Sequence, residues 1–288
     1  CLMTLLGDCC DVTHGCKVKM KLLCYLWGMI SQDVIEAAAQ RLREAQAQGE
    51  TCAPVRELIG EANIEAAYAV QKVNNDLRVA QGAVVVGQKI GLTSLAVQKQ
   101  LGVNQPDFGL LFADTAVANG GSLPAPAVLQ PKAEAEIAFV MKSDLNVNIT
   151  EEAVIAAIDY AVGAIEIVGS RVLNWDIRIT DTIADNASGS HFVLGDVRKL
   201  VSEVDFTAVK MQLHKNGALV SEGVGAACLG SPIKALTWLA QTFAELGTPL
   251  KAGDIVLSGA LGPMCAGEAG DTFEAEIEGF GTVTFSFQ

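Results

Sequence analysis

The sequence has few basic residues and few histidines for its length. Of its 288 residues, 20 are Lys or Arg, 33 are Asp or Glu and 3 are His, and the formal net charge is -13. A nucleic-acid-binding surface needs clustered Lys and Arg, so this balance argues against a nucleic-acid partner. Because His14, His191 and His214 are scattered along the chain, we expect neither a His-based zinc site nor a Ser–His–Asp triad.

Long apolar runs are also missing. No uninterrupted apolar stretch reaches the roughly 18 residues that a membrane-spanning helix needs. The longest candidate near the start is "LLCYLWGMI" at residues 22–30, and the "SQDVIE" that follows it contains no small-x-small cleavage site. We therefore expect no membrane partner and do not interpret this run as a signal peptide.

Cysteine is scarce in most of the chain. Five of the 8 cysteines lie within the first 24 residues. A secreted disulfide scaffold would spread its cysteines through the fold, and a zinc site would favour C-x-x-C spacing over the adjacent Cys9 and Cys10. We interpret residues 1–28 as an extraneous or disordered extension, expect the natural start at Met29, and expect the reducing cytoplasm as the location.

The whole sequence is 50% hydrophobic and 18% charged, and the chain after residue 28 has the periodicity of an α+β protein. Apolar residues recur at helical spacing over two early stretches, which predicts a helical region over residues 29–82. From residue 83 onward, short apolar runs alternate with turn signals, which predicts a β-rich core over residues 83–288. Within that core Thr150 is expected to cap a helix that runs to about Val162.

The segment "PKAEAEIAF", residues 131–139, places two glutamates in a predicted buried strand. Because side chains alternate along a strand, Glu134 and Glu136 point to the same face, about 6.5–7 Å apart at the backbone. Both faces are otherwise largely apolar, which predicts a strand covered on both sides. Two like charges there repel each other and lose hydration, so protonation or a bound cation must compensate them. Carboxylates suit a hard divalent ion such as Mg²⁺ or Mn²⁺.

The same spacing occurs again in "FEAEIEG" near the end of the chain. There Glu274 and Glu276 alternate with apolar residues, which is typical of a half-exposed antiparallel strand. The spacing alone therefore does not indicate a site, whereas the same spacing between two apolar faces does. A third acid, Glu166, lies in the otherwise apolar strand "AIEIVG", where a lone carboxylate needs a partner. Three carboxylates from two strands predict a metal site with positions left for substrate or water.

Two further polar residues interrupt apolar stretches. Lys89, near the end of the strand "VVVGQKIG", fits a snorkelling surface residue as well as a proton-transfer group or an anion partner. Asp107 in "QPDFG" by itself fits a turn aspartate. Ser188 lies in "ASGSH", which is not a G-x-S-x-G elbow, and the glycine-rich "LSGALGPMCAGEAGD" is neither a dinucleotide-binding nor a phosphate-binding loop.

Several of these blocks carry a family resemblance. "KIGLTSLAVQKQLGVNQPDFGLLF", "QPKAEAEIAFV", "AIEIVGSRV", "DTIADNASG" and "DIVLSGALGPM" are similar, in this order, to the 2-hydroxypenta-2,4-dienoate (2-keto-4-pentenoate) hydratases. These form part of the hydratase/decarboxylase branch of the fumarylacetoacetate-hydrolase-like superfamily. The resemblance runs from about Gln32 to Phe287 and does not cover residues 1–28. It implies an α+β fold with a mixed β-sheet roll, like the C-terminal domain of fumarylacetoacetate hydrolase, and N-terminal helices.

The resemblance also implies roles for the candidate residues. It implies that Glu134, Glu136 and Glu166 hold Mg²⁺ or Mn²⁺, and that Lys89 and Asp107 transfer protons. The implied reaction is a metal-dependent hydro-lyase reaction in which water adds to 2-hydroxypenta-2,4-dienoate through its 2-keto tautomer. The product is 4-hydroxy-2-oxopentanoate, and the pathway is the meta-cleavage catabolism of aromatic compounds.

Further implications concern contacts and partners. Ser188 and the loop residues Ser258 and Gly259 are weaker candidates for substrate binding. By analogy, the resemblance implies a homo-oligomer and leaves room for association with another enzyme of the pathway.

Two rival interpretations stay open at this point. The first is the sister activity, decarboxylation of 2-oxo-3-hexenedioate (4-oxalocrotonate), whose second carboxylate requires a cationic residue at the far end of the pocket. The second is a catalytically silent subunit that packs with a pathway enzyme. The intact Lys89, Asp107 and glutamates argue against the silent subunit.

Deleting residues 1–28 is expected to leave both catalytic rate and melting temperature unchanged, because neither the predicted fold nor the resemblance includes them. Steady-state kinetics and thermal melts of the full-length and shortened proteins test this. A substantial loss of either quantity would show that the extension belongs to the fold.

Overall fold

The computed structural model describes residues 30–95, 98–99 and 103–288. The extension expected over residues 1–28 and the start expected at Met29 lie outside them. Within the described ranges, no helix combines the length and the apolar character needed to cross a bilayer. In chain order, a helical layer comes first and two β-sheets follow.

The N-terminal layer is built from α1 (Gln32–Gln48), α2 (Arg56–Ile59) and α3 (Ile64–Ala80). Asn63 caps α3, since its side-chain oxygen accepts a hydrogen bond from the Ala66 N–H at 3.1 Å. Gly49, at φ 70°, ends α1 in the left-handed conformation that favours glycine. Leu42 of α1 packs in a buried cluster that also contains Ile183 from a later helix, and this ties the layer to the sheets.

The remaining elements are thirteen strands and three helices among the described residues. The strands are β1 (Val85–Gly91), β2 (Asp107–Phe112), β3 (Ala116–Val117), β4 (Gly121–Leu123), β5 (Lys132–Met141), β6 (Ile158–Val168), β7 (Gly189–Leu194), β8 (Lys210–Lys215), β9 (Ala218–Val224), β10 (Ile255–Leu257), β11 (Cys265–Ala266), β12 (Thr272–Ile277) and β13 (Gly281–Phe287). The helices are α4 (Glu151–Ala157), α5 (Ile179–Ala184) and α6 (Pro232–Glu245).

The strands form two sheets. The larger sheet has the order β2-β1-β10-β5-β6-β7-β3, with β11 also paired to β5, and the smaller has the order β4-β13-β12-β8-β9. The larger sheet is mixed, because β1 runs parallel to β10 but antiparallel to β2. This architecture confirms the predicted α+β fold with a mixed sheet and N-terminal helices.

Strand β5 is covered on both faces, as its apolar pattern predicts. One face, which includes Ile137, packs in the main core together with Phe285 of the smaller sheet. The other face carries Ala138 in a second apolar cluster. Glu134 and Glu136 lie on that second face, where Glu136 is buried and Glu134 is partly buried.

The helix expected from Thr150 to about Val162 is shorter than predicted. Thr150 does cap α4, since its hydroxyl accepts from the Ala153 N–H at 3.2 Å, but α4 ends at Ala157 and β6 begins at the next residue. The expectation was wrong because β6 pairs with β5 along almost the whole of both strands. A short, continuously apolar run fits a buried strand and a buried helix equally well. Its secondary structure is therefore determined by whether a neighbouring strand pairs with it.

Candidate active site

The antiparallel pairing of β5 and β6 brings the three glutamates together. Glu134 lies directly opposite Glu166 in the register, and Glu136 follows Glu134 on the same face of β5. Carboxylate oxygens of all three residues lie within 4.8 Å of one another. Glu136 and Glu166 are 0% and 1% exposed. Like charges placed directly opposite each other destabilise a sheet, so this arrangement requires compensation.

Hydrogen bonds supply only part of that compensation. Gly259 N–H donates to Glu136 Oε2 at 2.8 Å. Within the described part of the chain, the other Glu136 oxygen, Glu166 Oε2 and Asp107 Oδ1 are buried without a hydrogen-bond donor, and Glu166 Oε1 has an ion-pair contact with Lys89 Nζ at 3.3 Å. Burying polar oxygens without partners is costly. Clustered, unsatisfied carboxylate oxygens are the donor set that a hard divalent cation prefers, so these residues fit such an ion.

Burial and mutual repulsion both act on the acids. Burial raises the pKa of Glu134, Glu136 and Glu166 above the ordinary glutamate value. The negative charge of Glu166 raises the pKa of Glu134 and Glu136 further, and the pKa of Glu134 reaches about 7. Without a cation, the cluster therefore holds protons that ordinary glutamates release.

Lys89 is the positive charge at this cluster. It lies on β1 and is 3% exposed, so the alternative of a snorkelling surface lysine is wrong. Its Nζ donates to the Ala187 carbonyl at 2.8 Å and lies 3.3 Å from Glu166 Oε1. Burial by itself would lower the pKa of the ammonium, but the carboxylates, with Glu166 the strongest, outweigh it and raise that pKa.

Asp107 faces Lys89 from the neighbouring strand. It begins β2 opposite Gly91 in the register and is 1% exposed, so the turn-aspartate alternative is wrong. Thr182 Oγ1 donates to Asp107 Oδ2 at 3.3 Å. A Cβ at Gly91 would lie 2.2 Å from Asp107 Oδ1 and 3.3 Å from Lys89 Nζ. Glycine at position 91 therefore lets Asp107 Oδ1 occupy this space beside Lys89.

Ser188 reaches the site from a strained segment. Asn186, Ala187 and Ser188 have φ of 55°, 51° and 56°, which only glycine adopts readily. The Asn186 side chain holds the segment against β2, since it accepts from Leu110 N–H at 2.9 Å and donates to the Leu110 carbonyl at 3.0 Å. This anchors the Ala187 carbonyl that binds Lys89 and places Ser188 Oγ 3.2 Å from Thr182 Oγ1.

The other two predicted substrate contacts lie elsewhere. Ser258 is fully buried, and its hydroxyl donates to the Gly259 carbonyl at 3.3 Å. Gly259, at φ 104°, uses its N–H to bind Glu136. Neither residue lines the cavity beside Lys89 and Asp107. Gly259 thus orients Glu136, and substrate binding by Ser258 and Gly259 stays a prediction.

Lys89, Asp107 and Glu134 form the charged part of a cavity of about 120 Å³. This is below the roughly 300–1,000 Å³ of pockets for drug-sized ligands and so suits a small substrate. Gly91, Thr182 and Ser188 also line it. Thr93 and Ser94 add two more polar residues, and the rest of the wall is mostly apolar and is formed by Ile90, Leu92, Val168, Trp175, Ile177, Ala187, Ala260 and Met264.

Thr182 and Trp175 are site residues that the sequence analysis missed. Both lie in the polar segment between β6 and β7, where the structure forms the short helix α5. Asp181 fixes the start of α5 by accepting from the Arg56 guanidinium at 2.6 Å. Asp185 follows its end and is paired with Arg171. The spacing of two acids around an apolar turn in "DTIAD" was the available signal for a buried helix.

The second E-x-E strand behaves as predicted. β12 alternates between exposed and buried residues, and Glu274 and Glu276 are exposed. His214 brings a ring nitrogen within 4.8 Å of their carboxylates, but exposed carboxylates stay hydrated and need no ion. A larger cleft of about 820 Å³ borders this strand, and its charged residues are all exposed. We therefore locate the candidate site at the smaller, acid-lined cavity.

Comparison with known proteins adds independent information. The family described as "Fumarylacetoacetate (FAA) hydrolase C-terminal" matches residues 80–288. A 2-keto-4-pentenoate hydratase of Paraburkholderia phymatum is 53% identical over 260 residues, which is 90% of this chain and 99% of that protein. A TodF product hydratase of Pseudomonas putida is 54% identical, over 88% of this chain and 95% of that protein.

One solved structure is similar to this chain in both fold and sequence. The 4-oxalocrotonate decarboxylase from Pseudomonas putida G7, complexed with magnesium and adipate, superposes with a TM-score of 0.86. It is 32% identical in sequence, and the match covers 90% of this chain and 99% of that one. At this identity the likeness extends beyond the fold to the family.

The acid cluster predicts an unusual pH dependence of stability in protein stripped of divalent ions. A carboxyl whose folded pKa is raised stabilises the fold at low pH and loses that contribution as the pH rises through the folded value, about 7 for Glu134. Thermal melts in chelator should therefore give a lower melting temperature at about pH 8 than at about pH 5.5. Added Mg²⁺ should restore stability at the higher pH, because it binds only the folded site.

Two variants separate this effect from the general negative charge of the protein. Glu134→Gln should weaken the pH dependence, whereas Glu276→Gln, on the exposed strand, should keep it. A melting temperature that rises toward pH 8, or that ignores Mg²⁺, would contradict the assignment of the cluster.

Proposed function

Because this chain belongs to the fumarylacetoacetate hydrolase family, and within it to the 2-keto-4-pentenoate hydratases, we propose that it adds water to 2-hydroxypenta-2,4-dienoate. The product is 4-hydroxy-2-oxopentanoate. The observation that carries the proposal is a cluster of three carboxylates, of which Glu134 lines a small, mostly apolar cavity together with Lys89 and Asp107. Such a cavity suits a short acid with one charged end and one apolar end.

The proposed cofactor is a divalent ion, Mg²⁺ or Mn²⁺, held by Glu134, Glu136 and Glu166. The buried oxygens of Glu136 and Glu166 that lack donors support this assignment. Gly259 N–H orients Glu136, and the ion pair with Lys89 orients Glu166. When bound, such an ion supplies Lewis-acid polarisation of the carboxylate and 2-oxo oxygens of the substrate.

Lys89 and Asp107 are the proposed proton-transfer groups. Both line the small cavity, so a substrate carbon bound in it is within reach of an ammonium and a carboxyl oxygen. The reaction needs two carbon protonations: one at C5, which converts the dienol to the 2-oxo-3-enoate, and one at C3 when water adds its oxygen at C4. The dienol oxygen and the attacking water each release one proton, so the atoms balance with one water consumed.

Thr182 and Ser188 have supporting roles in this proposal. The Thr182 hydroxyl donates to Asp107 Oδ2, whereas Asp107 Oδ1 accepts no hydrogen bond among the described residues. Ser188 Oγ, next to Thr182 and in the cavity wall, is available to hydrogen-bond a substrate oxygen. The apolar wall excludes bulk water, which strengthens each electrostatic interaction inside the cavity.

The cavity wall favours the hydratase over the sister decarboxylase. The decarboxylase substrate carries a second carboxylate, which needs a cation at the far end. Among the described residues that line the cavity, Lys89 is the one cation, and it lies at the acid cluster. The higher identity to hydratases, 53% against 32% to the decarboxylase, points the same way.

We further infer a cytoplasmic location and a homo-oligomeric state, with association with a pathway enzyme as a further hypothesis. The location is supported by Cys52, Cys228 and Cys265, which are free thiols as a reducing compartment requires. The oligomer rests on analogy with the family, and size-exclusion chromatography with light scattering tests it.

Purified protein supplied with Mn²⁺ and freshly generated 2-hydroxypenta-2,4-dienoate is expected to consume the dienoate. The loss of its ultraviolet absorbance follows the reaction, and NMR identifies 4-hydroxy-2-oxopentanoate as the product. No turnover, together with CO₂ release from the six-carbon diacid, would replace the hydratase with the decarboxylase.

Replacing Glu136 with Gln should lower metal-dependent activity by more than about a hundredfold, since loss of a direct ligand costs at least as much as loss of an outer-shell partner. The fold should be largely retained, because glutamine has the same shape and keeps an acceptor for Gly259 N–H. Circular dichroism and metal titration accompany the kinetics. Glu276→Gln is the matched control and should behave as wild type; a wild-type rate for Glu136→Gln would refute the ligand assignment.

A further inference from the structure

Trp175 has a backbone conformation that is rare for a bulky residue. Asn174 and Trp175 have φ of 58° and 54°, so two consecutive residues lie in the left-handed region. This region is unfavourable for residues with a Cβ, and most of all for large ones. Such residues persist only where surrounding contacts impose them, and they cluster at functional sites.

The contacts that impose this conformation are visible. The Trp175 indole N–H donates to the Gln130 carbonyl at 3.0 Å. Gln130 is itself left-handed, at φ 51°, and its side-chain amide donates to the carbonyls of Ser170 and Val172 at 2.8 and 2.7 Å. The indole is thus fixed relative to β5 and β6, and its ring lines the cavity.

Lys132 lies against the same ring. Its Nζ is 4.1 Å from the centroid of the Trp175 ring, a distance at which the ring attracts a cation. Lys132 is half-buried, yet it is not among the described residues that line the cavity. The indole therefore lies between the cavity and its nearest cation outside the acid cluster.

The strand geometry places this contact beside Glu134 and away from Glu136. Lys132, Glu134 and Glu136 alternate along one face of β5, at about 6.5–7 Å per step. A ring over Lys132 thus lies toward the end of β5 that is remote from Glu136. Met264, which is 43% exposed, shares this wall with Trp175 and marks the side open to solvent.

We propose that Trp175 is a specificity-determining residue, whose indole contacts the substrate end remote from the carboxylate and screens Lys132 from the cavity. The inference rests on the proposed function and names its substrate class: short 2-oxo or 2-hydroxy monoacids with an apolar terminus. A second carboxylate against the indole would lose its hydration without gaining a partner. Removing the Trp175 indole would expose Lys132 to the cavity as a partner for that carboxylate.

The test uses two unreactive ligands of equal length, 2-oxohexanoate and the diacid 2-oxohexanedioate. Isothermal calorimetry in the presence of Mn²⁺ gives the ratio of their dissociation constants, diacid over monoacid. Wild type is expected to favour the monoacid. Trp175→Ala should lower the ratio by about tenfold, because the diacid gains an ion pair. Trp175→Phe, which still covers Lys132, should keep the wild-type ratio.

Two further variants carry Lys132→Met. The double variant with Trp175→Ala should regain the high ratio of diacid to monoacid dissociation constants. Lys132→Met alone should keep the wild-type ratio, because the indole already screens the amine. An unchanged ratio in Trp175→Ala, or no restoration in the double variant, would overturn the inference. If Trp175→Ala fails to fold by circular dichroism, a lower diacid affinity in Lys132→Met alone overturns it instead. Because these are binding measurements, they are independent of whether the protein hydrates the dienoate, so the two proposals fail separately.

Discussion

Repulsion among three carboxylates on one buried sheet face is the constraint on which the rest of the site depends. Glu134 and Glu166 face each other across β5 and β6, and Glu136 adds a third negative charge beside them. One buried ammonium, from Lys89, and one backbone N–H, from Gly259, compensate only part of this charge. The arrangement is costly for folding alone, and it becomes favourable once protons or a divalent cation share the cluster.

The segment between β6 and β7 supplies much of what surrounds the acids. It contributes the Thr182 and Ser188 hydroxyls, the Ala187 carbonyl that binds Lys89, and the Trp175 ring. Three ion pairs hold it, and two of them join Asp176 and the buried Asp181 to Arg56 of the N-terminal layer. The helical layer lines none of the cavity, but it holds the segment between β6 and β7 in position through the ion pairs of Arg56.

Sequence reasoning succeeded where the signal was local and failed where it depended on distant pairing. The two apolar faces around Glu134 and Glu136 are visible in a single strand, and so is the contrast with the exposed Glu274. The end of α4 was misplaced because β6 is defined by its partner β5, which no local periodicity reveals.

Other features of the site also depend on distant contacts. Strand order brings the Gly259 N–H against Glu136, and no local pattern shows that contact. Trp175 gave no signal because its place in the site comes from a left-handed backbone and from Lys132, forty-three positions earlier in the chain. The acid spacing indicated the three metal ligands, and the resemblance to a family supplied the substrate, which composition and spacing left open.

Gly91 illustrates a trade-off between stability and activity. Its backbone is not in the left-handed region that favours glycine, so alanine would fit the backbone and would reduce the entropy of the unfolded chain. The obstacle is a side-chain atom, since the new methyl group would lie 2.2 Å from Asp107 Oδ1. That methyl group would displace Asp107, one of the proposed proton-transfer groups. A substitution that is commonly used to stabilise proteins is thus excluded at this position by the chemistry, and selection for stability would act here against selection for turnover.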